Sequence, residues 1–335
     1  MNKLDWTMQE IWNTSMSLPK ERPESDRVHL WASELEKAPV DMWLRFKNTP
    51  VTNPPNGRSN MKFKTGDLFE WWMGLVLRHS GILQSSQEYM KFCVEEGLLE
   101  VSGKADFIAG GKPNLDSALE FAKLIDMPVF MVEVIEHLVK TLTEKYPDGL
   151  GTKPIEIKSC SSFVMNKLEQ EGAKPLSGHK LQLSHYIIGG NHPQGLLTYV
   201  CRDDLRMKEF DVFNNEETRK QYRDAVKKQT DAVRAEVMPE KEKLITFEDK
   251  FNINYNVAYS GYLTMLYGFQ QQMEYEDIYR PKVAQFNRVL KRMKDGAKMT
   301  PKNELILVGM REQGFEPAEL VKSFSGESEE EAETE

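Results

Sequence analysis

The stretch from Lys153 to Ser159 constrains the fold most, because it alternates apolar and charged residues with the period of a β-strand. Ile155 and Ile157 would face a core, while Glu156 and Lys158 project together from the opposite face. A buried carboxylate and ammonium are costly to desolvate unless a ligand occupies the same site. A divalent metal with a phosphate would suit both charges. Glu-x-Lys also occurs by chance, so its meaning depends on the surrounding segments.

The composition of the 335 residues is that of a globular protein with one large domain or two. No apolar run is long enough to span a membrane, and the N-terminus lacks the layout of a signal peptide. Cys93, Cys160 and Cys201 form no Cys-x-x-Cys pair. We therefore expect a cytoplasmic protein, in the bacterial host cytoplasm if it is phage-encoded, without zinc bound through cysteine and without a membrane partner.

The formal charge of −8 is unevenly distributed along the chain. Residues 325–335 carry six glutamates and no basic residue, so the remainder is close to neutral. This tail is predicted to be disordered and acidic. It is either a solvated segment or a nucleic-acid mimic that competes for a basic groove.

The strongest predicted helix runs from Thr65, as its cap, to Gly81, and it is apolar almost all round. It follows a predicted loop at residues 48–60 that holds three prolines and a glycine. Glu70 lies inside the apolar run. It is either a surface residue at a gap in the apolar stripe, or a ligand to a metal or to its water.

A second strand is predicted from Leu98 to Ala109, with Asp106 on its polar face. If this strand pairs with the one that carries Glu156, the two carboxylates converge. The residues between them, 110–153, have helical periodicity broken by Pro128, which predicts a helical insertion. The insertion is either a lid that guides substrate, or a passive elaboration or partner surface.

Ser177 is predicted to cap a helix from Gly178 to Ile188. Gln182 and Tyr186 lie four residues apart on one face of it, with His179 close to the same side. Such a pair is often ordinary packing with a surface polar residue. A hairpin and a charged helix are predicted to follow.

Four short motifs occur in order on the predicted helix, strand, strand and helix. They are Gly66-x-x-x-Glu70, Gly103-Lys-Ala-Asp106, Glu156-Ile-Lys158 and Gln182-x-x-x-Tyr186. This order resembles the PD-(D/E)XK nuclease superfamily in its RecB-like exonuclease branch, which also contains CRISPR-associated nucleases and phage exonucleases. The resemblance covers about residues 29–240. It implies an α/β fold with a central mixed β-sheet flanked by helices, that is, a restriction-endonuclease-like core.

The chain departs from this family at several positions. The segment from Trp31 to Arg45 is similar to the N-terminal helix of the iron–sulfur members, but Ala38 stands where they have a cysteine. No iron–sulfur cluster is therefore expected. Many RecB-like enzymes have histidine where this chain has Glu70, although glutamate also binds Mg²⁺ or Mn²⁺. The insertion at 110–153 is long for the family.

The resemblance implies metal-dependent hydrolysis of phosphodiester bonds. Asp106, Glu156 and the backbone carbonyl of Ile157 would hold one or two Mg²⁺ or Mn²⁺ ions, and Glu70 would complete the shell directly or through water. Asp106, Glu156 and Lys158 would be catalytic, with Lys158 positioning the attacking water or helping to deprotonate it.

Four residues of the predicted helix complete the implied site. Gln182 and Tyr186 would orient it and touch the nucleic-acid strand, while Lys180 and His179 would contact phosphates. A near-neutral protein can bind DNA there because bound metals bring positive charge.

The predicted organisation is a helical lead-in at 1–60, a nuclease core at 61–240, a helical accessory region at 241–324 and the acidic tail at 325–335. We expect the accessory helices to have one of three roles: packing on the core, mediating homo-oligomerisation, or forming a helix-turn-helix for DNA. The leading functional hypothesis is a DNA exonuclease of recombination, repair or phage DNA metabolism, with a recombination or replication protein as a possible partner. An endonuclease of a defence or mobile-element system and a non-catalytic DNA-binding or assembly protein are the alternatives.

Overall fold

The computed structural model describes residues 28–55 and 57–325, together with Thr7 and Thr14. The predicted acidic tail beyond Ser325 lies outside these residues, and so do residues 1–27 of the predicted lead-in apart from Thr7 and Thr14.

The chain divides into two compact units. The first comprises residues 1–37 and 55–235, and the second comprises residues 38–54 and 236–335. Each unit has its own cluster of buried apolar side chains. The residues singled out in the four motifs all belong to the first unit.

The first unit is built on a mixed sheet of six strands flanked by helices, which confirms the predicted α/β class. The strands are β1 (Leu30–Trp31), β2 (Leu83–Phe92), β3 (Val101–Gly111), β4 (Leu150–Cys160), β5 (Gln194–Cys201) and β6 (Met207–Phe213). β2 pairs with β3 in antiparallel fashion along one edge. β1 and β4 follow one another along the other edge of β3. β4 pairs in parallel with β5, which forms the predicted antiparallel hairpin with β6.

The sheet has a gap on the β1 and β4 side of β3. β1 pairs with Val101 and Ser102, whereas β4 pairs with β3 from Phe107 onward. Residues 103–106 lie between these two registers. Asp106, at the end of this interval, is therefore placed where β3 and β4 diverge.

Helices cover both faces of the sheet. They are α2 (Gly57–His79), α3 (Leu115–Leu124), α4 (Val129–Lys145), α5 (Ser162–Leu168), α6 (Ser177–Gly189) and α7 (Glu216–Arg234), whereas the preceding helix, α1 (Pro39–Phe46), belongs to the second unit. Phe69 of α2 packs with Ile155 and Ile157, and Leu183 of α6 packs with Leu197 and other residues of the opposite face. The alternation of β4 thus places its apolar residues under α2, as the sequence predicts.

Two predicted helix boundaries are wrong. α2 begins at Gly57 rather than after Thr65, so the predicted loop 48–60 ends earlier than expected. Thr65 lies inside the helix, and its hydroxyl donates to the carbonyl of Met61 four residues earlier instead of capping. Ser177 is already helical, and its hydroxyl donates to Glu36. In both helices, the residue that was predicted to be the cap uses its hydroxyl for a different hydrogen bond.

The predicted helical insertion between the two carboxylate-bearing strands is confirmed as α3 and α4. Asn114 begins α3, and its side chain accepts a hydrogen bond from the Ser117 N–H at 3.0 Å. The buried residues of the hairpin are small or β-branched, with Ala118 and Ala122 packing against Ile135. The role of the insertion stays a prediction.

The second unit is mainly helical, as predicted for the C-terminal region. It contains α1, the short hairpin β7 (Ile245–Phe247) and β8 (Phe251–Ile253), and helices α8 (Tyr255–Ala258), α9 (Leu263–Tyr267), α10 (Gln272–Lys294), α11 (Pro301–Glu312) and α12 (Pro317–Ser325). Asp41 of α1 is buried and accepts hydrogen bonds from the Ser260 hydroxyl at 2.8 Å and the Gly261 N–H at 3.3 Å. These contacts hold α1 among the C-terminal elements.

None of the helices in the described ranges combines the length and the apolar character that crossing a membrane requires.

Candidate active site

Asp106 joins β3 to β4 through its side chain. Its carboxylate Oδ2 accepts a hydrogen bond from the backbone N–H of Ile157 at 2.8 Å, and the residue is only 8% exposed. Because residues 103–106 have no strand partner on this side, the carboxylate satisfies a backbone donor that the ladder leaves free. The predicted convergence of Asp106 with the Glu-x-Lys strand is present in the structure.

Glu156 and Lys158 form an ion pair on β4. Lys158 Nζ lies 2.6 Å from Glu156 Oε1, and it also donates to Gln182 Oε1 at 2.9 Å. The side chain of Glu156 is 1% exposed, whereas that of Lys158 is 22% exposed. The second carboxylate oxygen, Glu156 Oε2, is buried and has no hydrogen-bond partner among the described residues. This oxygen is therefore available to a ligand.

The charges at this site do not balance. Burial, followed by the negative charge of Glu156, raises the pKa of Asp106 well above its usual range, and Lys158 offsets this only in part. Burial also raises the pKa of Glu156 despite the adjacent ammonium. Burial opposes the charged form of Lys158, but the carboxylates of Glu156 and Asp106 together raise its pKa. Lys158 therefore stays charged, and the two carboxylates compete for one cation.

Glu70 of α2 is near enough to add to this negative potential. Its charge contributes to the raised pKa of both Asp106 and Glu156. Its Oε1 accepts a hydrogen bond from Gln87 Nε2. Among the described residues, however, no three side chains of His, Cys, Asp or Glu are grouped closely enough to hold a metal ion. The structure thus brings two carboxylates together and places the third within electrostatic reach.

The residues present fit a divalent cation. Asp106 and Glu156 are hard oxygen donors of the kind that Mg²⁺ and Mn²⁺ prefer. The unpartnered Glu156 Oε2 and the raised pKa values both indicate a place where added positive charge would be stabilising.

Gln182 and Tyr186 form a chain of hydrogen bonds that ends on Lys158. Gln182 Oε1 accepts from the lysine, and Gln182 Nε2 donates to the Tyr186 hydroxyl at 3.3 Å. Tyr186 is 1% exposed and packs against Gly103, so its side chain offers no surface to a substrate in this conformation. Its effect on the site passes through Gln182.

His179 lies one turn before Gln182 on α6. Its Nδ1 is 3.0 Å from the hydroxyl of Tyr199. Burial, with a smaller contribution from the charge of Lys158, lowers the pKa of His179 to about 3. The imidazole is therefore neutral at physiological pH. Lys180, the next residue, instead donates to Gln221 of α7 at 2.7 Å, and its side chain is not gathered with the others.

No sequence pattern points to Gln87 or Tyr199. Neither residue lies in a motif, and β2, which carries Gln87, has no predicted counterpart. Gly103 belongs to a motif, and its role in the structure is steric, because a Cβ there would lie 2.8 Å from Tyr186 Cε1. A cavity of about 670 Å³, lined by residues including Phe92, Arg219 and Arg223, contains none of the predicted site residues.

No protein-family model matches this chain, and no curated protein matches it. Among solved structures, the crystal structure of SSO0001 is similar, with a TM-score of 0.45 and 13% sequence identity over 78% of this chain and 98% of that chain. A likeness at this level carries no argument about a site or an activity. Function must therefore be inferred from the geometry of the residues themselves.

Proposed function

We propose that this protein is a metal-dependent nuclease that hydrolyses phosphodiester bonds in DNA, cutting from strand ends in recombination, repair or phage DNA metabolism. The observation that carries the proposal is the buried group of Asp106, Glu156 and Lys158, in which two carboxylates share one ammonium and Glu156 Oε2 has no partner among the described residues. Such a group is unfavourable in a core that exists only for stability. The four ordered motifs of the PD-(D/E)XK resemblance support the same function.

Asp106, Glu156 and the carbonyl of Ile157 would hold the divalent cation, Mg²⁺ or Mn²⁺. Held by these residues, a divalent cation would neutralise charge on the scissile phosphate and would lower the pKa of a neighbouring water. Asp106 also has a structural role. Its hydrogen bond to the Ile157 N–H links β3 to β4 at the point where the two strands diverge.

Lys158 would position the attacking water and offset the negative charge that builds on the phosphate. Its raised pKa keeps it protonated at neutral pH. Gln182 directs the ammonium by accepting one of its protons, and Tyr186 holds Gln182 in turn. Lys158 is thus oriented from two sides, by Glu156 on its own strand and by Gln182 on α6.

His179 would donate a hydrogen bond to a phosphate oxygen through Nε2. Tyr199 is fully buried, and its hydroxyl accepts from the Leu176 N–H at 3.0 Å. The hydroxyl therefore donates its own hydrogen bond to His179 Nδ1, 3.0 Å away. Because Nδ1 accepts this bond, the proton of the neutral imidazole is on Nε2. A neutral donor whose tautomer is held in this way needs no protonation change to bind an anion.

The activity is tested on end-labelled linear DNA, single- and double-stranded, beside closed circular DNA, with Mg²⁺, Mn²⁺ or EDTA. We expect metal-dependent loss of the linear substrates, abolished by Lys158→Ala. Lys153→Ala is the matched control, since Lys153 lies on the same strand but reaches Asp211 at 3.5 Å instead of the site. We expect this control to cleave like the wild type.

The alternatives predict different results in the same assay. Cleavage of the closed circle would identify an endonuclease. Binding of DNA without cleavage by folded protein, in either metal, would replace the enzyme with a non-catalytic DNA-binding or assembly protein. Full activity of Lys158→Ala would show that the buried group is not the catalytic centre.

A further inference from the structure

Gln87 has a backbone conformation that is unusual for its place in the fold. It lies within β2 with φ at 53°, in the left-handed region that residues with a side chain rarely adopt. The flanking pairs, Ser86 with Phe107 and Glu88 with Ala105, keep one register, so Gln87 is neither in a turn nor at a strand end. A conformation of this kind persists only where the surrounding structure requires it.

The residue between the same two pairs on β3 is Asp106. The pleat of β3 is irregular there as well. Ala105 packs in the cluster of Leu183 and Tyr186, whereas Phe107 packs in the cluster of Phe69. Residues two apart in a regular strand face the same side, so the alternation is broken at Asp106. The two irregularities face each other across the ladder, at the candidate active site.

The side chain of Gln87 reaches Glu70. Its Nε2 donates to Glu70 Oε1, although Gln87 itself is exposed and no apolar burial holds it there. Glu70 lies within electrostatic reach of Asp106 and Glu156, whose negative charge repels it. The amide of Gln87 opposes that repulsion.

We propose that Gln87 is a positioning residue whose left-handed backbone aims its amide at Glu70 and keeps that carboxylate turned toward Asp106 and Glu156, where it would serve the divalent cation directly or through a bound water. This inference rests on the proposed function for the identity of the ligand. Partners that orient a metal ligand typically change metal affinity or activity about 10- to 100-fold when they are removed.

The test is the affinity for Mn²⁺ alone, measured by calorimetry and by the electron paramagnetic resonance signal of free Mn²⁺, on the full chain without DNA. We expect Gln87→Gly and Gln87→Ala each to weaken Mn²⁺ binding about 10- to 100-fold. Because glycine accepts the left-handed conformation and alanine does not, Gln87→Gly should melt at or above the temperature of Gln87→Ala. The matched control is Gln84→Ala on the same strand, whose amide contacts Thr152 at 2.9 Å, and it should bind Mn²⁺ like the wild type.

A double substitution distinguishes action through Glu70 from a general effect on the strand. In a Glu70→Ala background, Gln87→Gly should cause no further loss of Mn²⁺ affinity. An equal further loss, or Mn²⁺ binding that is unchanged or tighter in the single variants, would overturn the proposal. DNA cleavage is measured on the same samples. Mn²⁺ binding that depends on Gln87 in a protein that cleaves no DNA would refute the nuclease function and leave the positioning role standing.

Discussion

Asp106 Oδ2 and the backbone N–H of Ile157 are joined by a 2.8 Å hydrogen bond across 51 positions of sequence, and this bond replaces a ladder bond where β3 and β4 diverge. One carboxylate therefore completes the sheet, and in the function that we propose it would also act beside Glu156 as a donor to a cation. The two tasks can be separated by substitution, because an amide oxygen can accept the Ile157 N–H but, being uncharged, binds a divalent metal more weakly than a carboxylate does.

Asp106→Asn should remove activity by about 100-fold or more while raising the melting temperature of the metal-free protein by roughly a few °C at pH 7. The pKa of Asp106 is raised in the folded state. Ionisation of Asp106 therefore destabilises the folded protein. The loss of stability develops as pH rises from the pKa of Asp106 in the unfolded chain to its higher pKa in the folded protein, and it is absent below the unfolded-chain pKa. Melting curves at pH 7 and near pH 4 should show the gain shrinking in acid; a lower melting temperature than the wild type at pH 7 would contradict it.

Lys158→Met should destabilise the metal-free protein by about 3 kcal/mol, because it leaves Glu156 buried without its cation. Adding Glu156→Gln should recover most of that loss, since the uncompensated carboxylate is then gone. Urea unfolding of the two single variants and the double variant measures this coupling. Additive losses would show that the pair at 2.6 Å is not energetically linked.

Gln182→Ala and Tyr186→Phe should differ in kind. Gln182 contacts Lys158 directly, so its truncation should lower kcat about 10- to 100-fold. Tyr186→Phe keeps the buried ring and removes one hydroxyl, which should cost about 1 kcal/mol of unfolding free energy and leave the KM for DNA unchanged. Steady-state cleavage and urea unfolding of both variants check this. A large rise in KM for Tyr186→Phe would mean that the tyrosine reaches the substrate after all.

Gly103→Ala should destabilise the protein by about 1–3 kcal/mol, because the new methyl group would meet Tyr186 Cε1 at 2.8 Å and Ala32 Cβ at 3.1 Å. Gly151→Ala is the matched control in the same sheet, since nothing lies within 4 Å of its Cβ position. Replacing the clashing Tyr186 ring by a smaller side chain, with Tyr186→Leu, should recover part of the stability that Gly103→Ala loses. Equal stability of the two alanine variants would show that the close approach is not a constraint.

His179→Gln should reduce the loss of stability on acidification. The folded pKa of His179 is about 3, below its usual value of 6.5, so between these values the unfolded chain binds more protons than the folded one. In the wild type, the unfavourable contribution of His179 to the free energy of unfolding is complete near pH 3. It vanishes above the pKa that His179 has in the unfolded chain. Urea unfolding between pH 7 and pH 5 should show a smaller decline for the variant. The same decline in both proteins would mean that His179 protonates in the folded state.

The sequence was sufficient for much of the fold and of the site. The alternation around Glu156 placed both charges on one face of β4 and both isoleucines on the other, as the structure has them. The helical periodicity of residues 110–153 identified the insertion. These features depend on neighbours within a few positions, so the chain records them locally.

Other features had no local signal. Thr65 and Ser177 both look like helix caps, yet their hydroxyls bind Met61 and Glu36. Lys180 stands beside His179 but turns to α7, because the helix face that it occupies meets Gln221 rather than the site. β2 has no clear sequence signal, because it contains several polar residues and covers no continuous core.

What the sequence determined by itself is the chemistry available: an α/β core, two carboxylates and a lysine on predicted strands, and an amide and a tyrosine on one helix face. Only the tertiary structure decided which groups meet. The gap between β1 and β4 along β3, the bond from Asp106 to Ile157, and the left-handed Gln87 opposite Asp106 all arise where two strands and two helical layers pack together. Such contacts join residues far apart in the chain, and their geometry follows from packing rather than from local propensity.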